Sequence, residues 1–328
     1  MKILHVISSM NTNAGGTSQA IRSIIPNLKN FDTENEVICL DDPDLNYDII
    51  DNFKIYKIGN GKTSYRYNSL LISWLKLNLS KYDAAIVHGI WQFPNYAVYK
   101  VINELKKQNM ITPKVIIMPH GMLDPYFQKA KDRKWKALRN ELVWKLTEQK
   151  AINAADAIFF TCEEELLLAR TTFKGYKPKK EVNVGFGITH PPIKTKAMES
   201  AFHQMLPSLK TNYWLFLSRI HPKKGIDFLI TAYNQLCKDV EVLPDLVIAG
   251  PTDSIYGQKM IEQANNNPKI HFTGMLRGDS KWGAFYDCDV YLLPSHQENF
   301  GISIVEAMAC EKPVMITNNI NIWREIQE

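Results

Sequence analysis

Short apolar runs bounded by turn residues alternate along this chain with longer stretches in which apolar residues recur every three to four positions. The runs lie at 2–7, 36–40, 54–58, 84–88, 114–118 and 157–161, and again at 213–218, 245–249, 270–273, 290–293 and 313–317. Most, such as 85–87, 115–118 and 290–293, are apolar at consecutive positions, as a strand buried on both faces reads, and such strands belong to parallel sheets covered by helices. Helical spacing fills the gaps. Ile21, Ile24, Ile25 and Leu28 share one face of a helix that Thr17 or Ser18 can cap, and a second helix is predicted over about 65–80. Regular alternation of strand and helix predicts an α/β protein built on doubly wound parallel sheets.

The chain has 328 residues, which is long for a single core, so two domains are expected. His190-Pro191-Pro192-Ile193-Lys194-Thr195-Lys196 is stiff and poor in apolar residues. It divides a first domain, 1–190, from a linker at 191–212 and a second domain, 213–328. A 45% hydrophobic and 22% charged composition is that of an ordinary globular protein, and no apolar run reaches the length of a membrane span. The first apolar run is too short for a signal peptide, and the five cysteines are scattered with no CxxC pair, so a reduced, cytoplasmic, metal-free protein is expected. A net charge of +5 suits a diphosphate or anionic lipid but calls for no nucleic acid, and no basic tract is interleaved with aromatics.

Candidate chemistry collects where strands end, the place ligands occupy in open α/β sheets. After the run at 290–293 come Glu298, Asn299, Phe300 and Gly301, then a helix from Ile302 that carries Glu306. A glycine at a helix N-terminus presents backbone N–H groups and partial positive charge to a phosphate, while carboxylates accept hydrogen bonds from sugar or ribose hydroxyls. Donors for phosphate and acceptors for hydroxyls in one loop suggest a nucleotide-sugar site. Arg219 leaves the strand that ends at Ser218, and Lys224 starts the next helix with Gly225, so the two cations can pincer a diphosphate. In the first domain, Gly15-Gly16 follows the first strand. His88, Trp91 and Asn95 follow the fourth and could form an acceptor platform, and Pro119-His120-Gly121 after the fifth leads on to Asp124, a fourth acceptor candidate.

Other motifs are rejected. Gly59-Asn60-Gly61-Lys62-Thr63 resembles a P-loop, but Tyr56 stands where its first glycine is needed. No GxGxxG is present, and no acid is convincingly placed after the second strand. Asp287-Cys288-Asp289 precedes an apolar run instead of following one and reads as a helix end without a metal. Residues 129–146 form a basic helix with Trp135, Leu138, Leu142 and Leu146 on one face. That stripe either packs on the sheet or lies on an anionic membrane surface.

Glu298 and Glu306 around Phe300-Gly301, with Gly15-Gly16, His120 and the Arg219/Lys224 pair before them in order, resemble the motifs of retaining family 4 glycosyltransferases of the GT-B fold. The resemblance covers nearly the whole chain. It implies two Rossmann-like domains facing across a cleft, acceptor in the first and nucleotide sugar in the second. It implies transfer of a sugar from a nucleoside diphosphate sugar to a glycan or lipid-linked acceptor, with no cofactor and no metal. By that resemblance His120 lies beside the reacting sugar, Arg219 and Lys224 bind the leaving group, and Glu298 completes the catalytic set. Gly15, Gly16, Met275, Leu276, Asn299, Phe300, Gly301, Ile302 and Glu306 complete the donor site, and the basic helix 129–146 touches the membrane. The Gly187-Ile188-Thr189 stretch departs from the family's Asn-Gly-acid pattern, and a chain stopping at Glu328 implies an incomplete second domain. A nucleotide-sugar 2-epimerase of the same fold and a non-catalytic nucleotide-sugar-binding protein are the alternatives.

Overall fold

The structure, a computed structural model, describes residues 1–12, 16–47, 49–129, 134–209 and 212–327. It divides into two compact units, Met1–Gly187 and Ile188–Glu328. The first is built on seven strands: β1 (Lys2–Val6), β2 (Glu34–Cys39), β3 (Lys54–Lys57), β4 (Ala84–His88), β5 (Lys114–Met118), β6 (Ala157–Phe160) and β7 (Glu181–Asn183). They pair in the order β3-β2-β1-β4-β5-β6-β7, parallel throughout. The chain therefore starts at mid-sheet, winds outward, returns, and winds the other way, which opens a crevice above the ends of β1 and β4.

Burial explains the strand pattern. The central strands β1 and β4 are sealed on both faces, whereas the edge strand β3 begins and ends in lysine and is only half buried. Leu4, Val6, Val87, Ile117, Ile158 and Phe160 pack under one helical layer with Trp144, and Ile7, Ile21, Ile25, Val37 and Cys39 under the other. Burying one such aliphatic or aromatic side chain contributes about 1.5–3 kcal/mol.

The second unit has five strands, β8 (Tyr213–Leu217), β9 (Asp245–Ala249), β10 (Ile270–Gly274), β11 (Val290–Leu293) and β12 (Val314–Ile316). Their order is β10-β9-β8-β11-β12, again all parallel, so the reversal of winding falls between β8 and β11. The stretch 191–212, expected as linker, instead carries the helix Lys196–Met205, whose N-terminus is capped by the Thr195 side chain. Met198 and Phe202 are buried, and the helix comes so close to Gly283 that a Cβ there would stand 2.2 Å from the Met198 carbonyl oxygen. This stretch belongs to the second unit's packing.

The basic helix departs from the expectation that its apolar stripe packs on the sheet. Of residues 129–146, positions 130–133 lie outside the described residues; the rest continues from Lys134–Val143 through a π-helical turn, Trp144–Glu148, into Gln149–Ala154. Its buried face is Asn140, Trp144, Glu148, Ala151 and Ile152. The apolar stripe faces solvent: Trp135 is 85% exposed, Leu138 62%, Leu142 58% and Leu146 59%. The stripe does not pack on the sheet.

Candidate functional site

In the second unit, the loops that follow β8 and β11 are tied together. Pro222–Lys224 forms a single 3-10 turn capped by His221, whose ring nitrogen accepts the Lys223 N–H at 3.2 Å, and the His296 N–H donates to the Lys223 carbonyl at 2.8 Å. Gly225 closes the turn at φ +66°, and a Cβ there would lie 2.0 Å from the Pro294 carbonyl oxygen. Only glycine fits both the backbone and the space. The consequence is electrostatic. Lys224 rests its Nζ against the Glu298 carboxylate, Lys223 Nζ donates to Gln297 Oε1, and Arg219 stands exposed at the end of β8. Burial, with Arg219 and Lys223 nearby, lowers the Lys224 pKa to about 7, and the touching Glu298 carboxylate acts in the opposite sense, holding a proton on it.

Gly301, at φ +71°, starts the helix Ile302–Ala309, with no side chain capping it among the described residues. Ser303 Oγ is 2.6 Å from the Tyr291 hydroxyl, which also donates to the Leu217 carbonyl at 3.0 Å, so this helix is braced on both β8 and β11. The Glu298 backbone is pinned from β12's side, donating to Asn319 and accepting from Asn321 N–H at 3.0 Å. Glu306 is not open: Lys281 Nζ holds its Oε1 at 2.6 Å. Asn299 is bound to Asn321, and Phe300 completes the loop. Beyond β10, Met275 is half exposed, whereas the Leu276 side chain is buried, leaving only its backbone for a ligand.

The first unit has a cleft of about 750 Å³ at the ends of β1, β2 and β4, lined in part by Ser8, Asn11, Asp41, Arg66, His88 and Trp91. Gly15 lies outside the described residues; Gly16 is the exposed first residue of the helix Gly16–Leu28. Ser18 does not cap that helix but is buried within it and donates to the Asn11 carbonyl at 3.2 Å. The expectation that no acid follows β2 is corrected by Asp41, which accepts the Met10 N–H at 2.7 Å and the Tyr47 hydroxyl at 2.6 Å. It shapes the loop after β1, with Arg66 3.6 Å away.

The four acceptor candidates separate. His88 and Trp91 line the cleft, though the Trp91 indole N–H is spent on the Met122 carbonyl at 3.2 Å. Asn95 and Asp124 are buried and turned to structural work. Asn95 donates to the Glu148 carboxylate, and Asp124 accepts the Tyr126 N–H at 2.8 Å. Neither lines the cleft. Burial pushes the Glu148 pKa up to about 7.

His120 sits after β5 with φ +52°, a strained conformation for a residue with a Cβ. Glu165 helps to hold it there: its carboxylate accepts the Gly121 N–H at 2.5 Å and the Thr161 N–H at 2.8 Å. A glutamate in the first turn of a helix carries no sequence signal for this contact, which spans forty-four residues to Gly121. Sequence reading also missed a row of imidazoles. His120 Nε2 is 3.0 Å from His88 Nδ1, and His88 Nε2 is 2.9 Å from His5 Nδ1. Burial lowers His5 and His120 to about 4 and holds His88 well below the usual imidazole range. A histidine inside a strand carries no sequence signal, because its partners come from strands about thirty and eighty residues away.

For a metal, the described residues offer Glu199, His203 and Asp287 with ligand atoms within 4.8 Å of one another, but Lys194 Nζ already holds the Asp287 carboxylate at 2.6 Å.

Residues 198–328 match the family model of glycosyl transferases group 1. Over 252 residues the chain is 23% identical to a 2-deoxystreptamine N-acetyl-D-glucosaminyltransferase of Niallia circulans, spanning 76% of this chain and 62% of that protein. It is 33% identical over 108 residues to a probable sucrose-phosphate synthase of Thermosipho melanesiensis, 31% of this chain and 25% of the relative. The match spans about a quarter of the length of several curated relatives. Among solved structures, HepE of Anabaena in complex with UDP and glucose superposes with a TM-score of 0.68 at 17% identity, over 99% of this chain and 82% of that one. Sucrose-phosphate synthase from Thermosynechococcus elongatus gives 0.66 at 17% identity, over 99% and 83%.

Proposed function

We propose, from the match of residues 198–328 to the family model of glycosyl transferases group 1 and from the GT-B fold of the chain, that the protein is a retaining glycosyltransferase. It moves a sugar from a nucleoside diphosphate sugar to a hydroxyl of a glycan or lipid-linked acceptor, in polysaccharide or glycoconjugate synthesis. The observation that carries this reading is the strapped pair of loops in the second unit, where Lys224 rests against Glu298 while Arg219 and the helix N-terminus at Gly301 follow the neighbouring strands β8 and β11.

In this reading Arg219, Lys224 and the N–H groups of Ile302 and Ser303 stabilise the charge that develops on the departing diphosphate as the glycosidic bond breaks. Glu298 and Glu306 accept hydrogen bonds from donor sugar and ribose hydroxyls, Glu306 sharing its carboxylate with Lys281. The departing phosphate takes the acceptor's proton. The cations supply the positive charge, so a divalent ion has no task. HepE was solved with UDP and with UDP-glucose, and the Niallia relative is an N-acetylglucosaminyltransferase, which supports a donor of this class.

The test is a panel of UDP-, GDP- and ADP-sugars offered with hydroxyl acceptors. A glycosylated acceptor and free nucleoside diphosphate support the proposal; an epimerised donor, or binding without turnover, refutes it. Lys224→Ala is expected to lower turnover by about a hundredfold, the scale of losing one preorganised charge donor, while EDTA leaves the wild-type rate unchanged.

The exposed stripe on the basic helix favours an acceptor presented at the cytoplasmic face of an anionic membrane. Lys134, Lys136, Arg139 and Lys145 flank Trp135, Leu138, Leu142 and Leu146. No described helix is long and apolar enough to cross a membrane. Co-sedimentation with anionic vesicles, reduced in Trp135→Ser/Leu138→Ser and weak with zwitterionic ones, is the expected result.

A further inference from the structure

The three imidazoles do not end at His5. Its Nε2 is 3.0 Å from Asn35 Oδ1, and the Asn35 Nδ2 lies 2.9 Å from Thr33 Oγ1 and 3.4 Å from the Thr33 carbonyl oxygen. The Thr33 hydroxyl is 2.7 Å from the Leu28 carbonyl, which can only accept. That last contact sets a direction. The Thr33 proton goes to Leu28, so Thr33 Oγ1 accepts from Asn35, whose amide nitrogen must face it. A reversed amide would set its oxygen against two acceptors. Asn35 Oδ1 therefore faces His5 and requires a proton on His5 Nε2.

Direction then passes along the row. All three histidines are neutral at pH 7 because burial disfavours the cation, and a neutral imidazole has one N–H and one lone pair. With its proton on Nε2, His5 offers Nδ1 as an acceptor, so His88 must carry its proton on Nε2. His88 Nδ1 then accepts, and the proton of His120 is fixed on Nε2 as well. The rings are arranged for this, stacked at centroid distances of 5.2 and 5.3 Å with interplanar angles of 24° and 22°. Among the described residues no hydrogen-bond partner is found for His120 Nδ1.

We propose that Thr33, Asn35, His5 and His88 act as positioning residues that lock His120 in one tautomer, so that its Nδ1 meets the substrate as a hydrogen-bond acceptor. His120 then recognises a hydroxyl of the sugar and cannot donate to a phosphate oxygen through that nitrogen. The part played by substrate rests on the transferase reading above; the tautomer does not, since it is a property of the protein alone.

The test is a long-range proton–nitrogen correlation spectrum of the full chain labelled with nitrogen-15 in histidine, at pH 7.5, with the His120 signals identified by their loss in His120→Gln. His120 is expected as the Nε2–H tautomer in the wild type. In Asn35→Leu and in Thr33→Val, which cut the row at its far end, its pattern is expected to move toward an average of the two tautomers. Where transfer is present, kcat should fall about tenfold in both variants with the donor KM unchanged, as for an interaction made in the transition state. A wild-type His120 protonated on Nδ1 overturns the proposal, as does an unmoved His120 pattern in folded variants. If one variant fails to fold the other decides, and His5→Phe, which keeps a ring in the stack, is the third. Absence of transfer with the expected tautomer refutes the function and leaves the relay standing.

Discussion

Glu148 shows how far a residue's behaviour departs from its type. It is fully buried, accepts from Asn95, and is pushed up to about 7 by burial. A folded pKa above the unfolded value of 4.5 means a contribution that is complete below pH 4.5 and fades as pH rises through 7. Glu148→Gln keeps an oxygen for Asn95 and removes the charge. At pH 8 it should raise the stability of the first unit by an amount on the order of 2–3 kcal/mol, and at pH 4.5 have little effect, as urea midpoints at the two pH values would show. The histidines work in the opposite sense. Their folded values lie below 6.5, near 4 for His5 and His120, so their contribution is full above pH 6.5 and is lost as pH falls through about 4. In the Glu148→Gln variant the midpoint should therefore decline steadily below pH 6.5. At this scale the sequence was a fair guide to position and a poor one to role. His88, His120 and Glu298 stand at strand ends as their apolar runs predict, but nothing local distinguishes the buried Asn95 from the cleft-lining Trp91.

At the scale of elements, the turn joining β8 to the helix Ile226–Asp239 governs the second unit's site. Gly225 lets that turn lie on the Pro294 carbonyl and so brings Lys224 to Glu298. Gly225→Ala adds a Cβ to a left-handed backbone position and drives it into that carbonyl. A destabilisation of about 1–3 kcal/mol is expected, read as a lower denaturation midpoint, together with weakened nucleotide binding by calorimetry. Unchanged nucleotide affinity in the folded variant would show that the strap does not set the site. The basic helix teaches a complementary lesson. Its periodicity is plain, but its inner face is Asn140, Trp144, Glu148 and Ile152, two of them polar, so the apolar stripe visible in sequence is the outer one. Hydrophobic patterning finds an inner face only when that face is apolar, and the π-helical turn at Trp144–Glu148 shifts the phase of whatever pattern remains.

For the whole molecule, two sheets with the same winding place comparable crevices in each unit, yet the chemistry is unequal. Cations and an uncapped helix N-terminus gather in the second unit, and a polar cleft with one tryptophan gathers in the first. Hydrogen exchange with and without UDP checks this division. Slowed exchange is expected in the segments after β8 and β11, near 218–226 and 295–304, with the strands of the first unit unaffected. Protection confined to the loops after β1 and β4 would move the nucleotide to the other unit.

By itself the sequence determined the alternation of buried strand and helix and where the strands end, because each depends on residues close together in the chain. The tertiary structure alone decided which polar groups meet. The row from Thr33 to His120 joins residues of β1, β2 and β4 and the loop after β5, and the strap from Lys224 to Glu298 joins loops seventy-four residues apart. Parallel register brings such groups within 3 Å of one another, and burial then fixes their protons.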